Sequence, residues 1–220
     1  MRNIILIIIE VIICYLTIII LSKKYKTDGI YIFGIIAVII STIMNLKTIS
    51  IMNVPVPLGL GITTSIIIGA NLIVQNRGKE ELKPYLLLIT ITIVTSSLIL
   101  YLSALTSNSH YNYLANISYN DIFIQNIRIY LALIVSLLFT IWFDSKIYYI
   151  IKKYQNKIIL NNIFSIIIAE FFENIIFVLL AYLFEYEVID LFLCIILRYI
   201  IKTLIGIFGT IPIYITNKYN

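Results

Sequence analysis

The sequence predicts an all-α membrane helix bundle that crosses the bilayer several times. Of its 220 residues, 61% are hydrophobic and only 12% are charged, and isoleucine dominates several uninterrupted runs. This composition excludes an ordinary soluble domain. Helices of ~20 residues, the length that spans ~30 Å of hydrocarbon, take up nearly the whole chain. No soluble catalytic domain fits in what remains.

Seven apolar segments are candidate membrane spans. They cover residues 4–21, 29–46, 58–75, 84–105, 128–150, 163–183 and 189–215. The first resembles the apolar part of a signal peptide, but its lysines follow the run and it lacks a small-residue cleavage site, so we expect a retained helix. Pro55, Pro57, Gly59 and Gly61 make the entrance to the third span irregular. Such backbone must be buried in protein or line a wet cavity.

The basic residues fall mainly in alternate loops. They follow the first span at Lys23, Lys24 and Lys26, the third at Arg77, Lys79 and Lys83, the fifth at Lys152, Lys153 and Lys157, and the seventh at Lys218. By the positive-inside rule these loops are cytoplasmic, which predicts a plasma-membrane protein with its N-terminus outside and its C-terminus inside. The polar loop at 106–126 is then external. Because the net charge of +5 is dispersed over short loops, no nucleic-acid partner is expected.

Four charged residues lie deep in the last two spans. Glu170 and Glu173 are three residues apart, and Arg198 and Lys202 are four apart, so each pair shares one face of its helix. At 1.5 Å per residue, Glu173 lies ~16 Å and Lys202 ~18 Å from the outer ends of their helices. An ionised side chain at the bilayer centre costs at least ~2.5 kcal/mol. We therefore expect the two faces to meet and form ion pairs.

Further polar residues lie in other spans. Glu10 is in the first, Asn71 and Gln75 are in the third, and Asp144 is in the fifth. So many polar groups are typical of a hydrated pathway or a polar-ligand pocket. Two plainer interpretations stay open, namely that the ion pairs only hold helices together and that Glu10 merely faces a neighbouring helix. Both cysteines lie in apolar spans, and neither a metal nor a cofactor is expected.

Polar residues recur at defined spacings from the second span onward. They are Asn45 and Lys47, a polar pair ahead of Gly78 and Lys79, Arg128 sixteen residues before Asp144, Ser165 eight before Glu173, and Lys202 ten before Pro212 with Tyr214. This pattern, over residues 29–216, resembles the vitamin uptake or queuosine precursor transporter family. The resemblance implies a six-helix core that imports 7-deazaguanine precursors of the tRNA nucleoside queuosine. Residues 1–27 would then be an additional N-terminal helix with a basic loop, and residues 28–220 the transporter core.

The chain departs from the family pattern at four polar positions. Family members usually carry an acid at the position of Asn71 and often a charged residue at that of Gln75. The position of Glu170 is usually an amide, and that of Glu173 usually an aspartate. Polar character is kept while charge moves between helices. This implies either the same pocket with rearranged partners or a changed substrate.

The ligand implied by the resemblance suits these side chains. A 7-deazaguanine presents adjacent ring N–H and exocyclic amine donors, which one carboxylate can accept together. Glu173 is the first candidate for that role, followed by Glu170 and Asp144, and Asn71 and Gln75 are candidates for the carbonyl edge of the base. The candidate substrate-binding residues, with two cations that hold the acids in position, are Glu173, Glu170, Asp144, Asn71, Gln75, Lys202 and Arg198.

Alternating exposure of a midplane site is the expected transport mechanism. Phe171, Phe172 and Trp142 are candidates for stacking on the base, although such residues more commonly face lipid or the core. No phosphate-binding glycine loop occurs, so ATP hydrolysis by this chain is not expected. Three driving forces stay open: a coupling proton, trapping of the substrate by intracellular incorporation, and a separate energising partner. A homo-oligomer also stays open.

Three other functions are compatible with the pattern. One is uptake of a different vitamin-like or purine-like solute. Another is an intramembrane enzyme that uses the carboxylate pairs as acid and base, but no HExxH or GxSG-type motif occurs, and no catalytic residue is predicted. The third is an accessory scaffold without a ligand, in which the glutamates would affect stability alone.

Overall fold

The structure, a computed structural model, describes residues 2–107, 113–155 and 157–217 and confirms the all-α bundle. Its elements are α1 (Arg2–Met44), β1 (Thr48–Ile51), β2 (Val54–Pro57), α2 (Leu60–Arg77), a 3₁₀ turn (Lys79–Glu81), α3 (Leu82–Ala104), α4 (Tyr113–Gln125), α5 (Ile127–Tyr154), α6 (Ile158–Tyr182), α7 (Val188–Phe208) and α8 (Thr210–Thr216). Five helical segments are long and apolar enough to cross a bilayer. The chain is therefore a multi-pass membrane protein. Lys218, predicted to be cytoplasmic, lies outside the described residues.

α1 is a helical hairpin rather than a straight rod. A straight helix of its 43 residues would be ~65 Å long, about twice the hydrocarbon thickness. Lys26 leaves the helical conformation, with φ 53° and ψ −134°. Gly29 then packs so closely on the backbone of Leu21 that an added Cβ would clash with the Leu21 carbonyl. The chain reversal at Lys26 produces two antiparallel halves, which correspond to the first two predicted spans. The separation of the first from a transporter core stays a prediction.

An antiparallel β-hairpin leads from α1 into α2. β1 pairs with β2, and Met52 and Asn53 form the turn with positive φ angles. Ile51 and Val56 are buried, and β2 packs against α7. The prolines and glycines at the entrance to the third span therefore belong to a hairpin whose irregular backbone is covered by protein.

α2 is the central helix of the bundle. Every residue at positions 60–74 is buried, because α1, α5 and α7 pack around it. Its small residues allow neighbouring helices to approach closely; they are Gly61, Thr64, Ser65, Gly69 and Ala70. A short helix with several polar side chains can therefore be placed inside the bundle, where other helices supply the polar partners.

Side-chain contacts show the directions of the helices around the centre. Thr64 of α2 meets Glu170 of α6, whereas Asn71, further along α2, meets Asn162 near the start of α6. α2 and α6 therefore run antiparallel. This relation is the one expected for the third and sixth spans of a chain that crosses the membrane in alternating directions.

Two elements differ from the sequence-based expectation. The predicted external loop contains helix α4, which packs against α3 and α5. The seventh predicted span is present as the apolar segment Val188–Thr216, but it is interrupted at Gly209, where α7 ends at Phe208 and α8 begins at Thr210. Gly209 lies between them, and a side chain there would clash with Ile68 of α2. The division lies against the central helix and close to the buried polar residues.

Candidate functional site

Two carboxylates of α6 and two cations of α7 form a buried cluster, here named the charged cluster. Lys202 Nζ lies 2.8 Å from Glu170 Oε2 and 2.7 Å from Glu173 Oε2. Arg198 Nη2 lies 3.2 Å from Glu173 Oε1. The four side chains are at most 3% exposed. The ion pairs predicted from helical spacing are present, and the two acids are balanced by two bases.

Neighbouring side chains hold this cluster in place. Arg198 Nε donates to Asn174 Oδ1 at 2.9 Å, and the Arg198 guanidinium lies 3.9 Å from the centre of the Phe177 ring. Asn174 Nδ2 donates to the Glu170 carbonyl at 2.6 Å, and Thr64 Oγ1 donates to Glu170 Oε1 at 3.3 Å. Contacts from α2, α6 and α7 therefore restrain the carboxylates and the guanidinium, as a preorganised polar site requires.

A second polar group, here named the amide cluster, joins Asn71 of α2, Asp144 of α5 and Asn162 of α6. Asn71 Nδ2 donates to Asp144 Oδ2 at 2.6 Å and to Asn162 Oδ1 at 3.2 Å. Asn162 Nδ2 donates to the Gly206 carbonyl at 3.0 Å and to Thr210 Oγ1 at 3.1 Å. Asn71, Asp144 and Asn162 are fully buried. Asn162 thus connects α6 to both sides of the break between α7 and α8.

The two clusters occupy different levels of the bundle. Asn162 and Glu170 are eight residues apart on α6, and Thr64 and Asn71 are seven apart on α2, which corresponds to ~10–12 Å of helix rise. The structure therefore brings Glu170, Glu173, Arg198 and Lys202 together but places Asn71 and Asp144 in a separate layer.

Gln75 lies nearer the C-terminal end of α2, outside both clusters. Its Oε1 accepts a hydrogen bond from Tyr148 at 2.9 Å, and its carbonyl accepts one from Lys152 Nζ at 2.9 Å. Its Nε2 donates to Asn217 Oδ1 at 3.5 Å. A cation at the carbonyl end of a helix is electrostatically favourable. These contacts attach the end of α2 to α5 and to the residue that follows α8.

Glu10 contacts the beginning of α2. Its Oε1 accepts a hydrogen bond from the Ile62 N–H at 2.8 Å, one of the amide groups that lack an intrahelical acceptor. A negative charge is also favourable at a helix N-terminus. Tyr15, on the same half of α1, donates to the Ile205 carbonyl of α7. Glu10 therefore faces a neighbouring helix, as the plainer interpretation states, and caps it.

Asn162 was missed by the sequence-based prediction. The predicted sixth span begins at residue 163, whereas α6 begins at Ile158, so Asn162 lies inside the helix. Its spacing of eight residues from Glu170 places both on the buried stripe of an amphipathic helix. That periodicity was the available signal. The break at Gly209, which supplies two of its partners, has no comparably clear signal in the sequence.

The proposed aromatic stacking residues do not line either cluster. Phe171, Phe172 and Trp142 lie on the outer surface of the bundle, with 47%, 42% and 46% of their areas exposed, whereas Glu170 is fully buried. Phe171 and Phe172 contact one another edge to face. A stacking role at the charged cluster is therefore wrong for this conformation, and the lipid-facing alternative fits the exposure.

The side chains of the charged cluster are almost completely buried in this conformation. Grooves of about 500 and 300 Å³ lie at the start of α6 and beside α8, lined mainly by isoleucines together with Tyr214, Lys157 and Thr210, the hydroxyl partner of Asn162. None of these lining residues belongs to the charged cluster. Among the described residues, no group of three or more His, Cys, Asp or Glu side chains is arranged to hold a metal ion. A ligand would therefore reach the charged cluster only after helices move.

Comparison with known protein families gives a match over most of the chain. The family described as "Putative vitamin uptake transporter" matches residues 57–216. This range contains both clusters and begins at the end of the β-hairpin, so Asn45 and Lys47 lie outside it. No curated protein and no solved structure matches the chain significantly. The match is consistent with a role other than catalysis.

Proposed function

The chain belongs to the vitamin uptake transporter family, and from this premise we propose that it imports a 7-deazaguanine precursor of queuosine, such as preQ0, preQ1 or queuine. The observation that carries the proposal is the charged cluster, in which two carboxylates are held by two cations inside the bundle. The resemblance to queuosine precursor transporters supplies the substrate class. The protein acts as a transporter and not as an enzyme.

Glu173 is the proposed acceptor for the ring N–H and the exocyclic amine of the base. Its two oxygens are engaged by Arg198 and Lys202 in this conformation, so the ligand has to replace at least one of them. Lys202 lies between Glu173 and Glu170. It can remain paired with Glu170, and Arg198 can keep its contact with Glu173 Oε1, while Glu173 accepts hydrogen bonds from the ligand, so no buried charge is left without a partner.

Base recognition is assigned to the charged cluster alone. Asp144 and Asn71 lie about two helical turns away, and Gln75 lies beyond them along α2. A small planar ligand bound at Glu173 is not expected to contact the charged cluster, the amide cluster and Gln75 at once. The proposed role of these three residues is therefore in the transport path or in its coupling.

The proposed cycle exposes the charged cluster alternately to the two sides of the plasma membrane. With the N-terminus outside and the C-terminus in the cytoplasm, the cluster lies near the middle of the bilayer. Movement of α6 and α7 relative to α2 and α5 would open one side at a time. Such movement would separate helices that cover the cluster in the closed conformation.

Uptake in a bacterium that lacks both queuosine precursor synthesis and its own importer tests the proposal. The chain is expressed, limiting preQ0, preQ1 or queuine is supplied, and queuosine is measured in tRNA. The parent is expected to restore queuosine, and Glu173→Gln is expected to abolish restoration because a neutral amide cannot accept both donors.

The matched control is Glu80→Gln, which makes the same change at an exposed residue of the 3₁₀ turn. It should restore queuosine like the parent. All three proteins are compared at equal abundance in the membrane. If Glu173→Gln restores queuosine fully, the assigned site is wrong. If the parent fails with every precursor, the substrate class is wrong.

Import of another vitamin-like or purine-like solute is the second candidate. The family description names vitamin uptake and no 7-deazaguanine, and Asn71 stands where relatives usually carry an acid. Purified protein can be screened for thermal stabilisation by purines and vitamins. A solute that stabilises the parent but not Glu173→Gln, when 7-deazaguanines stabilise neither, would favour this candidate. A structural scaffold would instead be stabilised by none of the solutes in the screen.

A further inference from the structure

The buried charges of the described residues do not sum to zero. The buried charged side chains are Asp144, Glu170, Glu173, Arg198 and Lys202. The last four balance one another in the charged cluster. Asp144 is the remaining acid, and within residues 2–107, 113–155 and 157–217 no basic side chain pairs with it. A carboxylate that is buried without a counter-charge is strongly destabilising unless it is neutralised.

The groups that face Asp144 do not supply the missing positive charge. Asn71, from α2, donates a neutral amide hydrogen bond. From α6, Ser165 contributes a neutral hydroxyl, and Glu170 contributes a further negative charge at longer range. Tyr148, one turn along α5 itself, bonds instead to Gln75. The surroundings favour binding of a single positive charge.

Further oxygen atoms lie around the two amide side chains, Asn71 and Asn162, that extend from this carboxylate. Asn71 Oδ1 is buried and has no hydrogen-bond partner among the described residues. Asn162 Oδ1 lies 3.2 Å from Asn71 Nδ2, and the Gly206 carbonyl and Thr210 Oγ1 lie beside Asn162 Nδ2. The Gly206 carbonyl lies near the C-terminal end of α7, which is the negative end of the helix dipole. Rotation of an amide side chain by half a turn exchanges the positions of its nitrogen and oxygen, so that Asn71 or Asn162 can present an oxygen instead of an N–H. Such groups coordinate coupling cations in transporters with broken helices.

We propose that Asp144, together with Asn71 and Asn162, binds the monovalent cation, H⁺ or Na⁺, that couples to solute uptake. This inference rests on the proposed transport function. Its physical basis is the unbalanced buried carboxylate of Asp144, next to an amide oxygen of Asn71 that has no hydrogen-bond partner among the described residues and close to the interruption between α7 and α8. Asn162 and Glu170 lie on the same helix, so cation binding at the amide cluster and substrate binding at the charged cluster act on a common element. One cation bound in each transport cycle neutralises the negative charge of Asp144.

Purified protein in liposomes gives the main test. Gradient-driven accumulation of a labelled 7-deazaguanine is compared with counterflow, in which labelled and unlabelled substrate exchange without a gradient. One set of vesicles has an inward Na⁺ gradient at equal pH, and another has an inward H⁺ gradient without Na⁺. A gradient that drives accumulation identifies the cation. If neither gradient increases accumulation while counterflow proceeds, the proposal is overturned.

Asp144→Asn is expected to lower the ratio of gradient-driven accumulation to counterflow about tenfold, within the usual range for coupling between two sites. The matched control, Asp121→Asn, changes an exposed aspartate of α4 and should retain both activities. If Asp144→Asn accumulates substrate like the parent, the proposal is overturned. Should Asp144→Asn fail to insert, Asn71→Ala keeps the carboxylate and must weaken the same cation dependence.

A measurement without substrate separates this inference from the proposed function. The melting temperature of the purified protein is recorded against Na⁺, with choline at equal ionic strength as control, and against pH in choline alone. The cation should raise the melting temperature of the parent and of Asp121→Asn but not of Asp144→Asn, since a ligand stabilises the state that binds it. Lack of counterflow with retained cation stabilisation would reject only the 7-deazaguanine substrate. Equal cation responses in parent and Asp144→Asn would reject the cation site.

Discussion

The charged cluster and the amide cluster place carboxylates inside the same bundle but stabilise them differently. Glu170 and Glu173 are paired with Lys202 and Arg198 within 3.2 Å. Asp144 has an amide partner at 2.6 Å and no basic side chain among the described residues to pair with. The first arrangement is electrically complete without a ligand. The second is complete only when a positive charge is added.

Because of this difference, we expect substitutions in the charged cluster and in the amide cluster to have different effects. Removing one member of a balanced ion-pair group leaves an uncompensated buried charge, which is more costly than the loss of the pair itself. Removing the charge of Asp144 removes an imbalance. We therefore expect substitutions in the charged cluster to affect stability strongly and Asp144→Asn to affect mainly coupling.

Lys202→Met should give the largest loss of stability. It removes the lysine that pairs with Glu170, and breaking a buried ion pair in this way costs ~3–5 kcal/mol. The expected result is a lower melting temperature in detergent and reduced abundance in the membrane. Lys83→Met, at an exposed lysine, is the control and should behave like the parent.

A double variant tests whether charge balance is the reason. Lys202→Met combined with Glu170→Gln restores an equal number of acids and bases within the charged cluster, with Glu173 paired to Arg198. It should recover part of the stability that Lys202→Met loses. A double variant as unstable as the single one would indicate that packing of the lysine chain, and not its charge, dominates.

Arg198→Lys should have the next largest effect. Lysine keeps the charge but cannot donate at once to Asn174 and Glu173 in the planar geometry of arginine or lie flat over Phe177. The loss of one charged hydrogen bond corresponds to ~1.5–3 kcal/mol. Thermal unfolding measures it, with Arg77→Lys at an exposed site as control. An equal shift in both variants would contradict the importance of the buried geometry.

Asn162→Ala should destabilise the protein by ~1–3 kcal/mol, because Asn71, the Gly206 carbonyl and Thr210 lose a buried hydrogen-bond partner. The neighbouring Asn161→Ala is the comparison, since Asn161 Oδ1 has no partner among the described residues. Thermal unfolding should show a smaller change for Asn161. The reverse order would mean that Asn162 does not connect α6 to the α7–α8 break.

Sequence periodicity predicted the charged cluster because its main contacts depend on local geometry. Glu170 with Glu173, and Arg198 with Lys202, share helix faces, and a short loop makes α6 and α7 antiparallel neighbours. The amide cluster depends on packing of α2, α5, α6 and α7, which no local spacing specifies. Asn71 and Asp144 were recognised as polar residues in spans, but their contact was not predictable.

Backbone irregularities show the same limit. The lysines after the first span correctly indicated a connection, and the structure reverses the chain at Lys26. Proline and glycine signals before α2 indicated irregular backbone, but not a β-hairpin with strands of four residues each. The break at Gly209 depends on close packing against Ile68 of α2, which is a tertiary property. Apolar composition predicted the span itself, which the structure contains as Val188–Thr216, but not the interruption within it.

Glu10→Gln should have the smallest effect and sharpens the comparison between the two clusters. Glu10 is a further carboxylate in an apolar helix, and the N-terminus of α2 stabilises it through the Ile62 N–H. Glutamine retains an acceptor oxygen for that N–H and loses only the interaction between the charge and the helix dipole, ~0.3–1 kcal/mol. The melting temperature should fall slightly, and substrate counterflow should persist, with Glu80→Gln as the control. Because α2 carries partners for both clusters, a large loss of counterflow would instead show that the start of α2 is linked to them. A small loss would mean that Glu10 is stabilised locally by the end of α2, independently of the ion pairs that stabilise the charged cluster.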